Sequence, residues 1–149
     1  MGAATYQINP VLMGGLVKEA TDQSVKIHLH GRLGVLEVPR SMIVGDTKIE
    51  TGHELQFYFS YIKVVEDAFD YDFSDLNTNH SIRPCFINGK LIEVNDTAGK
   101  VEIANGFGTV AVPRRWFFTP LFLEVGQDVE CYLSCMEVMQ KREIPASFI

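Results

Sequence analysis

Arginines that recur behind a Val-Pro pair are the first candidates for ligand chemistry in this sequence. Arg40 and Arg114 each follow such a pair, and Arg115 adds a second charge in the later copy. A guanidinium presents a planar fork of N–H donors that fits phosphate, another oxyanion or a carboxylate at two points. The pattern predicts contact with a small anion, and the alternative is a surface ion pair with Glu50 or Glu124.

A second polar pair also recurs near the end of each copy. Tyr58 with Ser60, and Tyr132 with Ser134, occupy the polar face of a predicted strand. A tyrosine repeated on such a face is suited to line a ligand groove or an interface. The alternative is cross-strand packing on the outside of the sheet.

Histidine and cysteine do not combine into a metal site or a catalytic group. His28 and His30 share one strand face without a third ligand. Cys131 and Cys135 would lie about 13 Å apart at ~3.3 Å per residue of strand, at core-facing positions, and Cys85 is expected in the core as well. The sequence has no G-x-S-x-G, P-loop, H-E-x-x-H or dinucleotide fingerprint. We therefore expect no catalytic residue, no metal, no cofactor and no enzyme activity.

These residues recur because the chain contains an internal duplication. Residues 11–66, the first repeat, align without a gap on residues 85–140, the second repeat, at a constant offset of 74. The alignment holds 13 identities in 56 positions. The pattern predicts a first domain over residues 1–66, a linker over 67–84 and a second domain over 85–149.

Hydrophobic alternation predicts that both domains are built from short strands. Residues alternate between apolar and polar through Val25–Leu29, and Leu55, Phe57, Phe59 and Tyr61 are expected to share one core-facing side. Turn-forming residues separate the runs, and no ten-residue window has a helical period. We expect an all-β fold of two tandem small β-barrels, OB-like or SH3-like, because closure removes exposed strand edges.

Composition narrows the possible partners. The net charge of −6 and the pI of about 5.1 disfavour non-specific nucleic-acid binding. No apolar run approaches the length of a membrane span, and no secretory signal is visible. Three cysteines without the spacing of a metal site indicate a reducing cytoplasm. The acidic linker carries Phe69, Tyr71 and Phe73, which suit an extra strand packed on a barrel. The sequence leaves the oligomeric state open.

One bulky apolar cluster has no equivalent of the same size in the first repeat. Trp116-Phe117-Phe118 aligns with Met42-Ile43-Val44. Core cover is the ordinary interpretation of such a cluster. The sharper hypothesis is that Trp116 and Phe117 form an interface with a partner or with the sister barrel.

The strand pattern resembles that of S1-type RNA-binding domains, through Gly15, the run Val25–Leu29 and Gly34. That resemblance implies an RNA-binding face on the middle strands. Such faces usually stack bases on aromatic residues, whereas the outward residues here include Lys26 and His28. The sequence also carries a fragment of the turn used by PilZ-type barrels, Asp22-Gln23-Ser24, without the arginine pair which that family needs.

The chain is also similar to molybdate-binding MOP/TOBE-type domains, which occur as tandem pairs. The similarity rests on Ser81-Ile82-Arg83, on Gly89–Val94, and on Ser60-Tyr61-Ile62-Lys63 at the final strand. It implies oxyanion binding, with Lys63 added to the candidate ligands. Duplicated barrels of this kind also occur in bacterial families.

We therefore expect a binding or regulatory module in the cytoplasm. Its partner would be another protein, or a small anion held near the barrel junction by the arginines. RNA binding and molybdate-type oxyanion binding are the alternatives.

Overall fold

The protein is all-β throughout the part described by a computed structural model, which covers residues 8–31, 34–65, 83–103, 108–119 and 122–141. Short 3-10 helices, Arg40–Met42 and Arg114–Trp116, follow the third and eighth strands. No helix in the described ranges is long and apolar enough to cross a membrane. The strands are β1 (Val11–Ala20), β2 (Ser24–Leu29), β3 (Val35–Pro39), β4 (His53–Phe59), β5 (Ile62–Val65), β6 (Cys85–Val94), β7 (Ala98–Ile103), β8 (Gly108–Pro113), β9 (Phe117–Phe118), β10 (Asp128–Leu133) and β11 (Glu137–Lys141).

The two repeats have the same local structure at the offset found in the sequence. β1 and β6 have equivalent bounds, as do β2 and β7, and the β1–β2 and β6–β7 pairs have bulges at equivalent positions. Gly52 and Gly126, at φ 101° and 99°, lie just before the fourth strand of each repeat. Glycine is favoured there because a positive φ is costly for other residues.

Alternation along the strands separates the core from the surface. Val25, Ile27 and Leu29 of β2 are buried, while His28 between them is exposed. Their counterparts Val101 and Ile103 in β7 are also buried. Removing these apolar side chains from water is the main stabilising contribution of each barrel.

The repeats exchange their last strands. β5 of the first repeat pairs with β10 of the second, and β11 of the second repeat pairs with β4 of the first. Parallel contacts complete each barrel: Ile62 is opposite Phe117, and Ile43 is opposite Met136. Each five-stranded barrel is therefore closed by a strand from the other repeat.

A second junction lies where β3 and β8 pair side by side. The antiparallel register sets Val35 opposite Ala111 and Glu37 opposite Thr109. Gly34 and Gly108 occupy the close approach, since a Cβ at Gly34 would overlap the Ala111 carbonyl and one at Gly108 would lie 2.6 Å from the Glu37 carbonyl. The recurring glycine thus lets the two barrels form one continuous sheet.

The predicted core position of Tyr61 is wrong, and the strand predicted in the linker lies outside the described ranges. Tyr61 is 44% exposed rather than buried, because the chain leaves β4 after Phe59 and crosses to the other barrel. Its counterpart Cys135 is buried, as predicted. Positions 67–82 of the predicted linker lie outside the described residues, so the extra strand stays a prediction.

Candidate functional site

Arg40 holds a loop of its own repeat. Its guanidinium donates to the carbonyl oxygens of Ile43 at 2.8 Å, Gly45 at 3.2 Å and Thr47 at 2.6 Å. These bonds order the segment between the 3-10 helix and β4. The guanidinium N–H groups that make these bonds point into the loop, so Arg40 has few donors left for a ligand.

Arg114 has a similar local role, and the structure does not bring it to Arg40. Its guanidinium donates to the Asn95 carbonyl at 2.8 Å. Because β3 and β8 are antiparallel, Arg40 and Arg114, which follow the ends of these strands, lie at opposite ends of the β3–β8 junction. Arg115 is exposed beside Arg114. The two repeated arginines therefore do not form a common anion site at the barrel junction.

The repeated serines lie where the strands cross. The N–H of Tyr58 donates to Ser134 Oγ at 2.8 Å, and the N–H of Tyr132 donates to Ser60 Oγ at 2.9 Å. Both serines are buried. Their hydroxyls satisfy backbone groups between the repeats, where the ordinary strand ladder is interrupted.

The remaining candidates at this crossing pack or pair across it. The Tyr132 ring lies against Phe86, with centroids 4.9 Å apart, and Tyr58 is half-buried on the corresponding outer face. Lys63 of β5 lies 3.8 Å from Glu130 of β10, so its ammonium faces a carboxylate of the opposite repeat.

Trp116 and Phe117 contact the first repeat. The indole of Trp116 lies 5.7 Å from the ring of Phe59 and 4.6 Å from that of Tyr61. Phe117 lies in β9, opposite Ile62. Both side chains are buried, with 8% and 7% exposure. This cluster therefore covers the contact between the repeats.

The three cysteines lie in the core, as their positions in the strands predict. Cys85, Cys131 and Cys135 are free and buried. Burial, with a smaller effect of Glu130, raises the pKa of the Cys131 thiol to about 12. Within the described ranges, no three His, Cys, Asp or Glu residues are grouped so as to hold a metal ion.

Three open grooves differ in charge. One of about 480 Å³ lies over Gly14 and includes the buried Glu54, and one of about 440 Å³ follows the β3–β8 junction between Glu37 and Glu102. The third, the cationic groove, has a volume of about 460 Å³. None of the described residues that line it is a carboxylate. Its walls are Leu16, Lys18, His28, Leu29, His30, Gly31, Gly34 and Val35.

Basic side chains of β1 and β2 set the field of the cationic groove. Although His28 is exposed, partial shielding of its imidazole from water lowers its pKa, and the charges of Lys18 and Lys26 lower it further, against a smaller opposing effect of Glu19. A lowered histidine pKa marks a place where an additional positive charge is disfavoured. A negative ligand would relieve that repulsion.

In the second repeat, lysines of the equivalent strands form ion pairs with carboxylates. Lys100, the counterpart of Lys26, lies 3.9 Å from Glu93, and Lys90 lies 3.6 Å from Asp128. Among the described residues, no carboxylate forms an ion pair with Lys18 or Lys26. His28 is replaced by Glu102. The cationic groove is thus specific to the first repeat.

Sequence reasoning singled out residues common to both repeats and so passed over this groove. Lys26, His28 and His30 were evident as outward positions of one strand, but Lys18 lies in a β-bulge. A bulge shifts the strict alternation of sides. The sequence signal for the groove is that its basic residues are present in the first repeat and not in the second. Lys18 aligns with Ile92, and His28 aligns with Glu102.

Comparison with known proteins leaves the family open. No family model matches the chain, and no curated protein matches it. A search of solved structures finds similarity to ModG, a cytoplasmic molybdate-binding protein crystallised with molybdate bound. The sequence identity is 17%, 96% of this chain and 100% of that chain are covered, and the TM-score is 0.27. A TM-score this low carries no argument about this chain.

Proposed function

We propose that this protein is a non-enzymatic binding module for a small anion, held in the cationic groove beside the β3–β8 junction. The observation that carries the proposal is that Lys18 and His28 line a groove of about 460 Å³, that the charge of Lys26 also acts on His28, and that none of the described lining residues is a carboxylate. In a chain of net charge −6, such a local field selects for a compact anion.

The groove offers three kinds of contact to an oxyanion. Lys18 supplies a full charge, and the His28 imidazole supplies an N–H and gains a proton more readily once the anion is bound. Gly31 and Gly34, at φ 78° and 134°, leave the backbone at the wall without side chains. Sulfate, phosphate, molybdate and tungstate share the chemistry that such a site would recognise.

RNA is the alternative ligand for the same face. Besides Lys26 and His28, the outward positions of β2 and β3 near the groove include Val35 and Glu37. None is a phenylalanine, tyrosine or tryptophan, and the imidazole of His28 is the one ring among them, so the face lacks the extended stacking surface on which single-strand binding usually depends. A partner protein remains the alternative if no small ligand binds. The three buried thiols suit a reducing cytoplasm as the compartment of action.

Calorimetric titration with the four oxyanions tests the proposal. We expect saturable 1:1 binding of at least one of them. Lys18→Gln should weaken it about tenfold or more, because a charge-assisted contact contributes roughly 1.5–3 kcal/mol. Lys48→Gln removes the same charge from an exposed loop position and should leave affinity unchanged.

The same variants distinguish the alternatives. Binding of a short RNA that weakens steeply with salt, without oxyanion binding, would replace the proposal with the RNA-binding one. Equal effects of Lys18→Gln and Lys48→Gln would place any anion site elsewhere. No binding of either ligand class would leave a partner protein as the working hypothesis.

A further inference from the structure

We propose that an aromatic cleft at the exchange of strands between the repeats binds one small, uncharged aromatic molecule. The cleft has a volume of about 280 Å³ and lies apart from the cationic groove. Its walls are Val11, Met13, Phe59, Ser60, Tyr61 and Trp116.

The aromatic walls give the cleft its chemistry. Trp116 lies nearly parallel to Phe59, with an interplanar angle of 16°, and meets Tyr61 at 43°. Tyr61 stacks in turn on Phe118, with centroids 4.7 Å apart. Rings at these separations attract a further ring in an offset or edge-on arrangement, beyond the burial of its apolar area.

The polar group in the wall is already satisfied. Ser60 is 1% exposed, and its hydroxyl donates to the Tyr61 carbonyl at 2.8 Å while accepting from the N–H of Tyr132 at 2.9 Å. Among the described residues, no charged side chain lines the cleft. A charged ligand would lose hydration there without compensation, so the site selects against charge.

The volume suits a small ligand. Sites for drug-sized ligands commonly occupy roughly 300–1,000 Å³, and this cleft lies just below that range. A substituted benzene fits such a space, since a cavity of about 150 Å³ already holds benzene.

The barrel fold itself does not require this cleft to be open to solvent. Val11 and Tyr61 are 55% and 44% exposed, while their counterparts Cys85 and Cys135 are 5% and 1% exposed. Trp116 corresponds to the fully buried Met42. The same site is therefore closed in the other half of the molecule, and the open, aromatic version arises from this half's own side chains.

The test uses Trp116, the single tryptophan of the chain, as its own reporter. Benzyl alcohol is titrated into the full-length protein while tryptophan emission is followed, with benzoate and cyclohexylmethanol in parallel. We expect a saturable change with benzyl alcohol, and at least about tenfold weaker binding of benzoate because of its charge. Cyclohexylmethanol, of similar size without the π-face, should bind more weakly than benzyl alcohol.

A matched pair of variants locates the site. Val11→Phe adds a ring at the exposed rim of the cleft and should abolish the response. Val125→Phe makes the same change at a position that is 62% exposed and outside the cleft, and should bind as the original chain does. Circular dichroism checks that both variants fold.

Four results would overturn the proposal. The first is that benzoate binds with the same affinity as benzyl alcohol. The second is a response that Val11→Phe leaves intact, and the third is that benzyl alcohol gives no saturable response. Tryptophan emission that changes with protein concentration alone would show that a second copy of the chain occupies the cleft, and would overturn it too. Oxyanion binding is measured separately and does not depend on any of these outcomes.

Discussion

The N–H of Tyr58 donates a 2.8 Å hydrogen bond to the hydroxyl of Ser134, which comes from the opposite repeat. Ser134 then donates to the Cys135 carbonyl at 2.7 Å, so one buried side chain satisfies two backbone groups at the strand crossing. Ser60 makes the equivalent bonds in the other direction. The serine recurs because both crossings need the same hydroxyl.

Replacing Ser134 by alanine should therefore destabilise the protein. The substitution leaves the Tyr58 N–H without its acceptor in the interior, which costs about 1–3 kcal/mol. Urea unfolding measures the loss. Ser41→Ala, at an exposed position, should change the free energy of unfolding by less than about 0.5 kcal/mol. Equal stability of the two variants would contradict the structural role assigned to Ser134.

Trp116→Ala should be a costly substitution. The indole is 8% exposed and packs between Phe59 and Tyr61 of the opposite repeat, so truncation should cost roughly 3–5 kcal/mol. Denaturant unfolding measures this, with Phe122→Ala, at 86% exposure, as the control. A cost below about 1 kcal/mol would show that the cluster does not hold the repeats together.

Strand exchange makes a separate prediction for half of the chain. A fragment of residues 1–66 lacks β11, which pairs with β4 in the complete protein. We expect it to be unfolded as a monomer, or to associate so that β5 of one copy closes the barrel of another. Size-exclusion chromatography and circular dichroism distinguish these states. A folded monomeric fragment would contradict the need for exchange.

The repeat, the strands and most of the core could be predicted from sequence, but the exchange could not. Alternation places Leu55 and Phe57 in a core whichever barrel closes around them. β4 and β10 carry related sequences, so the pattern cannot tell which of them β5 will join. The crossing interrupts the alternation at Ser60, and for that reason Tyr61 was placed in the core wrongly.

The candidate site was less predictable. Arg40 was a sound anion candidate by residue type, but its donors are directed to three carbonyls that only folding brings near. Lys18 depends on a bulge, which alternation does not reveal. Both residues show that burial periodicity fixes which side of a strand faces water, while side-chain partners depend on loops and bulges.

The thiols should be protected in the folded protein. Burial raises the pKa of Cys131 to about 12, so at pH 8 only on the order of one molecule in ten thousand carries the reactive thiolate. An aromatic disulfide reagent should label the chain slowly in buffer and label three thiols in denaturant. A Ser41→Cys variant provides an exposed thiol as the positive control. Fast labelling of the unmodified chain would contradict the burial of all three.

His28 should make the protein less stable in mild acid. Its folded pKa is lowered from 6.5 by burial and by Lys18 and Lys26, so the unfolded chain binds the proton more readily. The contribution of His28 is present above pH 6.5, is lost as the pH falls, and levels off below the folded pKa. Lys18→Gln should raise the folded pKa and reduce the loss. NMR titration of the imidazole checks both, and a folded pKa at or above 6.5 would contradict the cationic field.

The most direct test of anion binding is to repeat that imidazole titration with and without saturating molybdate, and again with sulfate. We predict that an anion which binds shifts the His28 resonances to saturation with one anion bound and raises the His28 pKa, whereas Lys18→Gln raises the anion concentration needed for both effects about tenfold or more. Unchanged His28 resonances and pKa with every oxyanion would contradict the assignment of this groove as the binding site.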